Sequence, residues 1–150
     1  MESHAAPSTA RGAQKPGDEE AGADLRLGEF HGVPTLSLSE ARLLITAVMD
    51  HRRADAKKGA KVQETETLIK IQDYLDVFAR FKQKENIEAV ERLLATTGSL
   101  DPFERSQLGT LCCETAEEAK TLIPSITHKI SDADLQDILN EISKLRNFVE

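Results

Sequence analysis

The stretch FERSQLGTLCCETAEEAKTLIPSI, residues 103–126, decides how the C-terminal half of this chain folds. It follows an Asp-Pro dipeptide at 101–102, and with Glu104 this dipeptide forms a capping box that has Pro at the first helical position. A second capping box begins at Thr115. Pro124 ends that helix because it lacks an amide proton and disfavours helix in the preceding residue. The stretch therefore predicts two short helices joined at two adjacent cysteines.

Longer helices are predicted on both sides by apolar residues that recur every three or four positions. A capping box of Ser37 and Glu40 begins the first helix. Further helices begin near Glu64, near Lys84 and after Ser131. The second helix is apolar around most of its circumference, so we expect it to be central. No β-hairpin signal, alternating strand or internal repeat is found. The predicted fold class is all-α, a small helical bundle preceded by an extended arm and one amphipathic helix.

The composition divides the chain into four regions. Residues 1–24 have no apolar periodicity and predict a disordered acidic tail, because such a segment buries too little apolar surface to offset its ordering entropy. Residues 25–58 predict the extended arm and the first helix, together a partner-binding region. Residues 59–63 predict a linker, and residues 64–150 a bundle of five helices.

Composition also limits the function. With 150 residues there is room for one domain and a tail. A formal net charge of −7 argues against a protein whose main task is to hold a phosphate backbone. No apolar run reaches the roughly 18 residues that span a bilayer, and no secretory signal begins the chain. We expect a cytosolic or nuclear protein that does not associate with a membrane.

Sequence patterns of common enzymes are absent, so no catalytic residue, cofactor or metal is predicted. Cys112 and Cys113 are neighbours, which is poor geometry for a disulfide, and zinc would need further ligands, of which His128 is the nearest. We expect reduced structural thiols. The histidines are expected to be solvated, with no carboxylate at helical spacing to suggest a general base.

A basic run at residues 51–61 suggests contact with nucleic acid, because Lys and Arg release counterions when they contact phosphates. It contains no aromatic residue for base stacking, and acidic residues follow it closely. A solvated helix end is the favoured interpretation, with direct nucleic-acid contact as the alternative.

In wording and order, LGTLCCETAEEAKTLIPSI resembles the signature of the family of the fourth subunit of eukaryotic RNA polymerase II, which has relatives in RNA polymerase III and in archaea. The resemblance continues upstream through YLDVFARFK at residues 74–82, downstream over residues 135–148, and faintly at residues 36–41. Residues before about 25 carry none of it. Cys113 departs from the family, which often has Pro there, and a second cysteine suggests a fungal member.

The resemblance implies a bundle like the helicase-and-RNase-D C-terminal (HRDC-like) domain and a non-catalytic subunit of DNA-directed RNA polymerase II. It implies a heterodimer with the seventh subunit, which forms the stalk on the polymerase core and supports initiation, clamp positioning and coupling to transcription factors and RNA processing. Nucleic acid would be contacted only indirectly, through the partner. The implied location is the nucleus, with shuttling to the cytoplasm left open.

Two alternatives remain at this point. One is the equivalent stalk subunit of RNA polymerase III, although the match around residues 111–123 favours polymerase II. The other is a free-standing helical nucleic-acid-binding module, which should have a basic face.

The residues themselves suggest where a partner binds, because the arm and the first helix hold more apolar side chains than a short arm needs. Such surplus apolar surface commonly marks a partner site. An arm folded back on its own bundle is the alternative interpretation. The predicted interface residues are Leu25, Leu27, Phe30, Leu36, Leu38, Ala41, Leu44, Ile45 and Val48.

Overall fold

A computed structural model of the chain describes residues 19–59, 61 and 63–147. Two very short antiparallel strands, β1 (Glu20–Ala21) and β2 (Leu25–Arg26), precede six α-helices. The helices are α1 (Leu38–Ala56), α2 (Glu66–Phe78), α3 (Lys84–Ala95), α4 (Pro102–Leu111), α5 (Ala116–Leu122) and α6 (Asp132–Asn147). The predicted all-α fold is confirmed. Among the described helices, none combines the length and apolar character that crossing a bilayer requires.

Helices α3 to α6 enclose the main hydrophobic core. Each contributes residues at helical spacing, such as Ile87, Val90 and Leu94 on α3, so that one face of each helix is buried and the other faces water. The large apolar side chains that are almost completely buried in this core are Phe81, Leu108, Ile126, Leu135, Leu139 and Ile142.

The corner formed by α4 and α5 matches its prediction except at the start of α5, where the Glu118 carboxylate accepts from the Glu114 amide at 3.0 Å and the predicted capping box is incomplete. The capping box of Asp101 and Glu104 begins α4, and the Thr115 hydroxyl accepts a hydrogen bond from the Glu118 amide at 3.1 Å to begin α5. Cys112 ends α4 in the left-handed conformation, with φ of 49°. A short 3-10 turn, Pro124–Ile126, follows α5.

The Glu104 carboxylate is completely buried, although it begins a helix. It accepts hydrogen bonds from the Asp101 amide at 2.8 Å and from the Lys129 ammonium at 2.8 Å. Lys129 also contacts the Asp101 carboxylate at 3.0 Å. The capping box therefore also joins α4 to the segment before α6.

Helices α1 and α2 form an antiparallel hairpin beside this core. Met49 and Leu75 are the buried apolar residues of the two helices, and Arg42 pairs with Asp76 at 2.8 Å across them. The expectation that α2 is central is wrong, because α2 packs chiefly on α1 and most of its large apolar side chains are exposed.

The hairpin meets the bundle at the N-terminus of α1. The Leu38 amide donates to the Thr110 hydroxyl at 3.2 Å, and the buried Ser39 hydroxyl accepts from the Phe81 amide at 3.0 Å. Gly109 lies beneath this crossing, where an added Cβ would lie 3.3 Å from Leu94 Cδ1. Small and polar residues therefore let α1 approach α3 and α4 closely.

The N-terminal part differs in one detail from its prediction. Residues 1–18 of the predicted tail lie outside the described residues, but β1 pairs with β2, so a hairpin exists that the sequence did not indicate. An exposed ion pair of 2.9 Å between Arg26 and Glu20 accompanies it. Gly28–Phe30 then forms a 3-10 turn within the arm, and residues 33–37 lead to α1 without regular secondary structure. The division into four regions stays a prediction.

Candidate partner-binding surface

The large apolar side chains that are exposed concentrate in the arm, α1 and α2. Of the eleven found among the described residues, ten precede residue 79, and the other is Leu122 on α5. The ten are Phe30, Val33, Leu36, Leu44, Val48, Ile69, Ile71, Tyr74, Val77 and Phe78. Within residues 19–59, 61 and 63–147, no three His, Cys, Asp or Glu side chains are grouped in a way that could hold a metal ion.

Of the nine residues predicted for the interface, four are exposed. Phe30 is 60% exposed, Leu36 53%, Leu44 55% and Val48 41%. The other five, Leu25, Leu27, Leu38, Ala41 and Ile45, are half-buried. A role of these residues in partner binding stays a prediction.

Sequence reasoning missed the exposed side of α2. Ile71, Tyr74 and Phe78 are spaced by three and four residues and therefore lie along one side of the helix. Val77, beside them, is 73% exposed. The rings of Tyr74 and Phe78 are 4.7 Å apart, a tilted aromatic pair open to solvent. The signal was present as apolar residues all around the helix, but burial was the wrong interpretation of it.

The apolar residues of α1 and α2 lie on the same side of the hairpin. At 100° per residue, Arg42 and Arg53 are about 120° to 180° around α1 from Leu44 and Val48. Both arginines form ion pairs of 2.8 Å across the hairpin, Arg42 with Asp76 and Arg53 with Glu64. These ion pairs therefore mark the opposite side of α1 from its exposed apolar residues.

The same geometry applies to α2. Asp76 is about 140° to 160° around the helix from Ile71, Tyr74 and Phe78. Because the ion-paired side of each helix is opposite its apolar side, the exposed apolar residues of the two helices form one face. We call this surface the hairpin face, and it consists of Leu44, Val48, Ile71, Tyr74, Val77 and Phe78.

The cysteines and histidines add no reactive site to this surface. Both cysteines are free and buried, and burial raises the pKa of Cys112 to about 11. Burial and the neighbouring Glu118 carboxylate also raise the pKa of Cys113. His51 corrects one expectation, because its Nε2 lies 3.4 Å from a carboxylate at helical spacing, Asp55. That pair is exposed at the end of α1.

The structure thus describes a small all-α protein that carries a two-helix unit with an exposed apolar face outside its main core. Residues 35–146 match the sequence profile of the family described as RNA polymerase Rpb4. The chain belongs to that family, and this confirms the resemblance of the LGTLCCETAEEAKTLIPSI stretch.

Individual relatives agree with this assignment. The chain is 47% identical over 131 residues to DNA-directed RNA polymerase II subunit rpb4 of Schizosaccharomyces pombe, a match that covers 87% of this chain and 94% of the relative. It is 57% identical over 72 residues to RPB4 of Saccharomyces cerevisiae, covering 48% of this chain and 32% of the relative. DNA-directed RNA polymerase II subunit 4 of Arabidopsis thaliana is 28% identical over 135 residues, which cover 87% and 96% of the two chains.

Proposed function

We propose that the chain is a non-catalytic subunit of DNA-directed RNA polymerase II that forms the stalk heterodimer with the seventh subunit. The observation that carries the proposal is the hairpin face, a set of apolar side chains exposed on two packed helices. Monomeric soluble proteins seldom expose contiguous apolar patches of large size unless another molecule covers them. The names of the relatives, which are subunits of RNA polymerase II, support the identity of the complex.

The hairpin face has the composition of an interface centre. Tyr74 and Phe78 supply large, rigid rings, and aromatic residues are enriched among the side chains that dominate binding energy. Leu44 and Val48 extend the apolar surface across the neighbouring helix. Phe30 and Leu36 of the arm are exposed as well and add apolar surface next to the start of α1.

Hydrogen bonds connect the hairpin to the bundle at the start of α1. Hydrogen bonds from Leu38 and to Ser39 fix the start of α1, and the Thr35 hydroxyl donates to the Pro102 carbonyl at 2.8 Å. A partner that covers the hairpin face is then held in one orientation relative to α3 to α6. This is the property needed by a stalk subunit that supports clamp positioning, initiation and recruitment of factors.

The proposed location is the nucleus, with shuttling to the cytoplasm as a further part of the proposal. Nucleic acid is contacted through the partner. The equivalent subunit of RNA polymerase III is the alternative within the family, and the polymerase II names of the relatives favour the first assignment.

The experiment that tests the proposal is mass spectrometry of the proteins that co-purify with the tagged chain at its natural level. Moderate salt in the wash screens purely electrostatic contacts. Recovery of the seventh subunit in equal amount, together with the polymerase II core, is the expected result. Recovery of polymerase III subunits instead would transfer the assignment to that enzyme, and a chain that purifies alone would contradict both.

A further inference from the structure

The positive charge of this acidic chain is concentrated at the C-terminal end of α1. Residues 51–61 contain five lysines or arginines and one aspartate, so they carry +4 in a chain of formal net charge −7. Arg52, Lys57, Lys58 and Lys61 are exposed, and none of the four forms an ion pair with a residue in the described ranges. We call these four residues the basic end.

The folding of the chain accounts for only part of this charge. Arg53 is held by Glu64 at 2.8 Å, which raises its pKa and joins α1 to the segment before α2. Cations in the last turn of a helix also complement its dipole, but this effect falls off within that turn. Because Lys57 is the C-cap of α1, Lys58 and Lys61 lie beyond it. Complementing the dipole of α1 therefore does not explain why these two lysines are present.

The basic end continues the hairpin face. Arg52 follows Val48 by four residues, so it lies one turn farther along the same side of α1, about 6 Å away along the helix axis. A protein that covers Leu44 and Val48 therefore reaches Arg52 and the lysines after it. Charges at the rim of an apolar interface typically contact the same partner.

We propose that the partner on the hairpin face carries a cluster of carboxylates opposite the basic end, and this inference rests on the proposed heterodimer. A protein surface is favoured over nucleic acid because residues 50–63 contain no Phe, Tyr or Trp on which a base could stack. Asp50, Asp55 and Glu64 also interrupt the cations, so the basic end is a short patch and not the long basic stripe that tracks a phosphate backbone.

The basic end then steers association. Exposed charges at an interface rim act mainly on the rate of encounter and on its salt dependence, whereas the apolar centre sets the lifetime of the complex. The carboxylates of the partner and the basic end attract each other before the hairpin face is covered.

The test compares association and dissociation rates of the full-length chain with the seventh subunit over about 0.05 to 0.5 M salt. The test variant is Arg52→Glu with Lys58→Glu. A matched control, Arg92→Glu with Arg146→Glu, changes the net charge equally but on α3 and α6, where both arginines are exposed. We expect the test variant to slow association about tenfold at low salt and the control to slow it little, with dissociation unchanged in both.

Each other result overturns the inference in a distinguishable way. Equal slowing by the two variants would mean that net charge alone steers the encounter, and unchanged association would mean that the partner has no carboxylates there. Weaker binding of a single-stranded oligouridine by the test variant, with unchanged association to the protein, would assign the basic end to phosphates. If the wild-type chain forms no complex at all, the proposed function fails first, and this inference fails with it.

Discussion

The hydroxyl of Ser39 on α1 accepts a hydrogen bond of 3.0 Å from the backbone amide of Phe81, which lies forty-two residues later in the chain. Both residues are almost completely buried, Ser39 at 2% exposed and Phe81 at 1%. This bond joins the hairpin of α1 and α2 to the bundle at the point where the chain leaves α2. Together with the hydrogen bonds of Thr35 and Leu38, this bond orients the hairpin face relative to the bundle.

Replacing Ser39 with Ala should destabilise the protein. The Phe81 amide would be left buried without a partner, a loss of about 1 to 3 kcal/mol in the free energy of unfolding. Chemical denaturation followed by circular dichroism measures the change. Ser143→Ala, at an exposed position of α6, is the control and should change stability by less than about 0.5 kcal/mol. Equal stabilities of the two variants would show that the Ser39 bond contributes nothing.

Carboxylates on the α1 part of the hairpin face should prevent partner capture without unfolding the chain. Leu44→Asp with Val48→Asp would place two charges inside the proposed interface, where burial without a partner costs several kcal/mol. Capture of the seventh subunit by the tagged variant, together with its melting temperature, tests this. Leu122→Asp, at an exposed apolar residue of α5, should capture normally. Normal capture by the double variant would exclude this side of α1.

Removing the aromatic pair of α2 should weaken the same complex. Tyr74→Ala and Phe78→Ala would each cost more than about 1 kcal/mol of binding if they lie at the interface centre. Their effect on stability should be small, because both side chains are half exposed. Isothermal titration calorimetry with the seventh subunit measures the affinities. Equal affinity of wild-type and variant chains would show that Tyr74 and Phe78 lie outside the interface, which the sequence had predicted only in the arm and α1.

Lys129 should stabilise the fold in a pH-dependent way. Burial lowers the pKa of Lys129, but hydrogen bonds and attraction from Glu104 and Asp101 together raise it above its ordinary value. Since the folded state holds the proton more tightly, this stabilisation is present below the ordinary lysine value of about 10.4 and is lost as pH rises through the folded pKa. Lys129→Met should therefore be less stable at neutral pH, and the difference from wild type should narrow in alkali.

The expected loss at neutral pH is about 1 to 3 kcal/mol, less than for a fully buried pair because the Lys129 side chain is one-third exposed. Lys144→Met is the control, since Lys144 pairs with Glu141 on the surface of α6 at 2.5 Å. Removing that surface pair should cost at most about 1 kcal/mol. A difference between wild type and Lys129→Met that stays constant from neutral to alkaline pH would contradict the linkage.

The thiols should be unreactive while the protein is folded. Burial raises the pKa of Cys112 to about 11, with the charges of Arg146 and Arg80 opposing the shift, so little thiolate exists at neutral pH. We expect a thiol-specific disulfide reagent to react with the Cys113→Ser variant at least about a hundredfold more slowly in the native than in the denatured state. Rapid reaction of the native variant would show that Cys112 is accessible.

Local signals along the chain predicted the helices well. The capping boxes at Ser37 and at Asp101, the Thr115 cap and the stop at Pro124 are contacts within a few residues, so their residue types identify them directly. The hairpin of β1 and β2 was missed because strands of two residues are too short to show alternation.

The burial of α2 could not be read in the same way. An apolar helix predicts that something covers it, but the covering surface can come from the same chain or from another molecule. Leu75 is covered by α1, whereas Tyr74 and Phe78 stay half exposed among the residues that the structure describes. Periodicity is the same for both kinds of apolar residue, so it cannot separate a core from an interface.

The sequence by itself determined the helical class, the ends of the helices and the family, because capping, proline placement and motif order are local or linear properties. Only the tertiary structure decided that α2 pairs with α1, that Ser39 receives the Phe81 amide and that Glu104 is buried beneath Lys129. Each of these depends on packing between residues distant in sequence. Which apolar face remains uncovered follows from that packing alone.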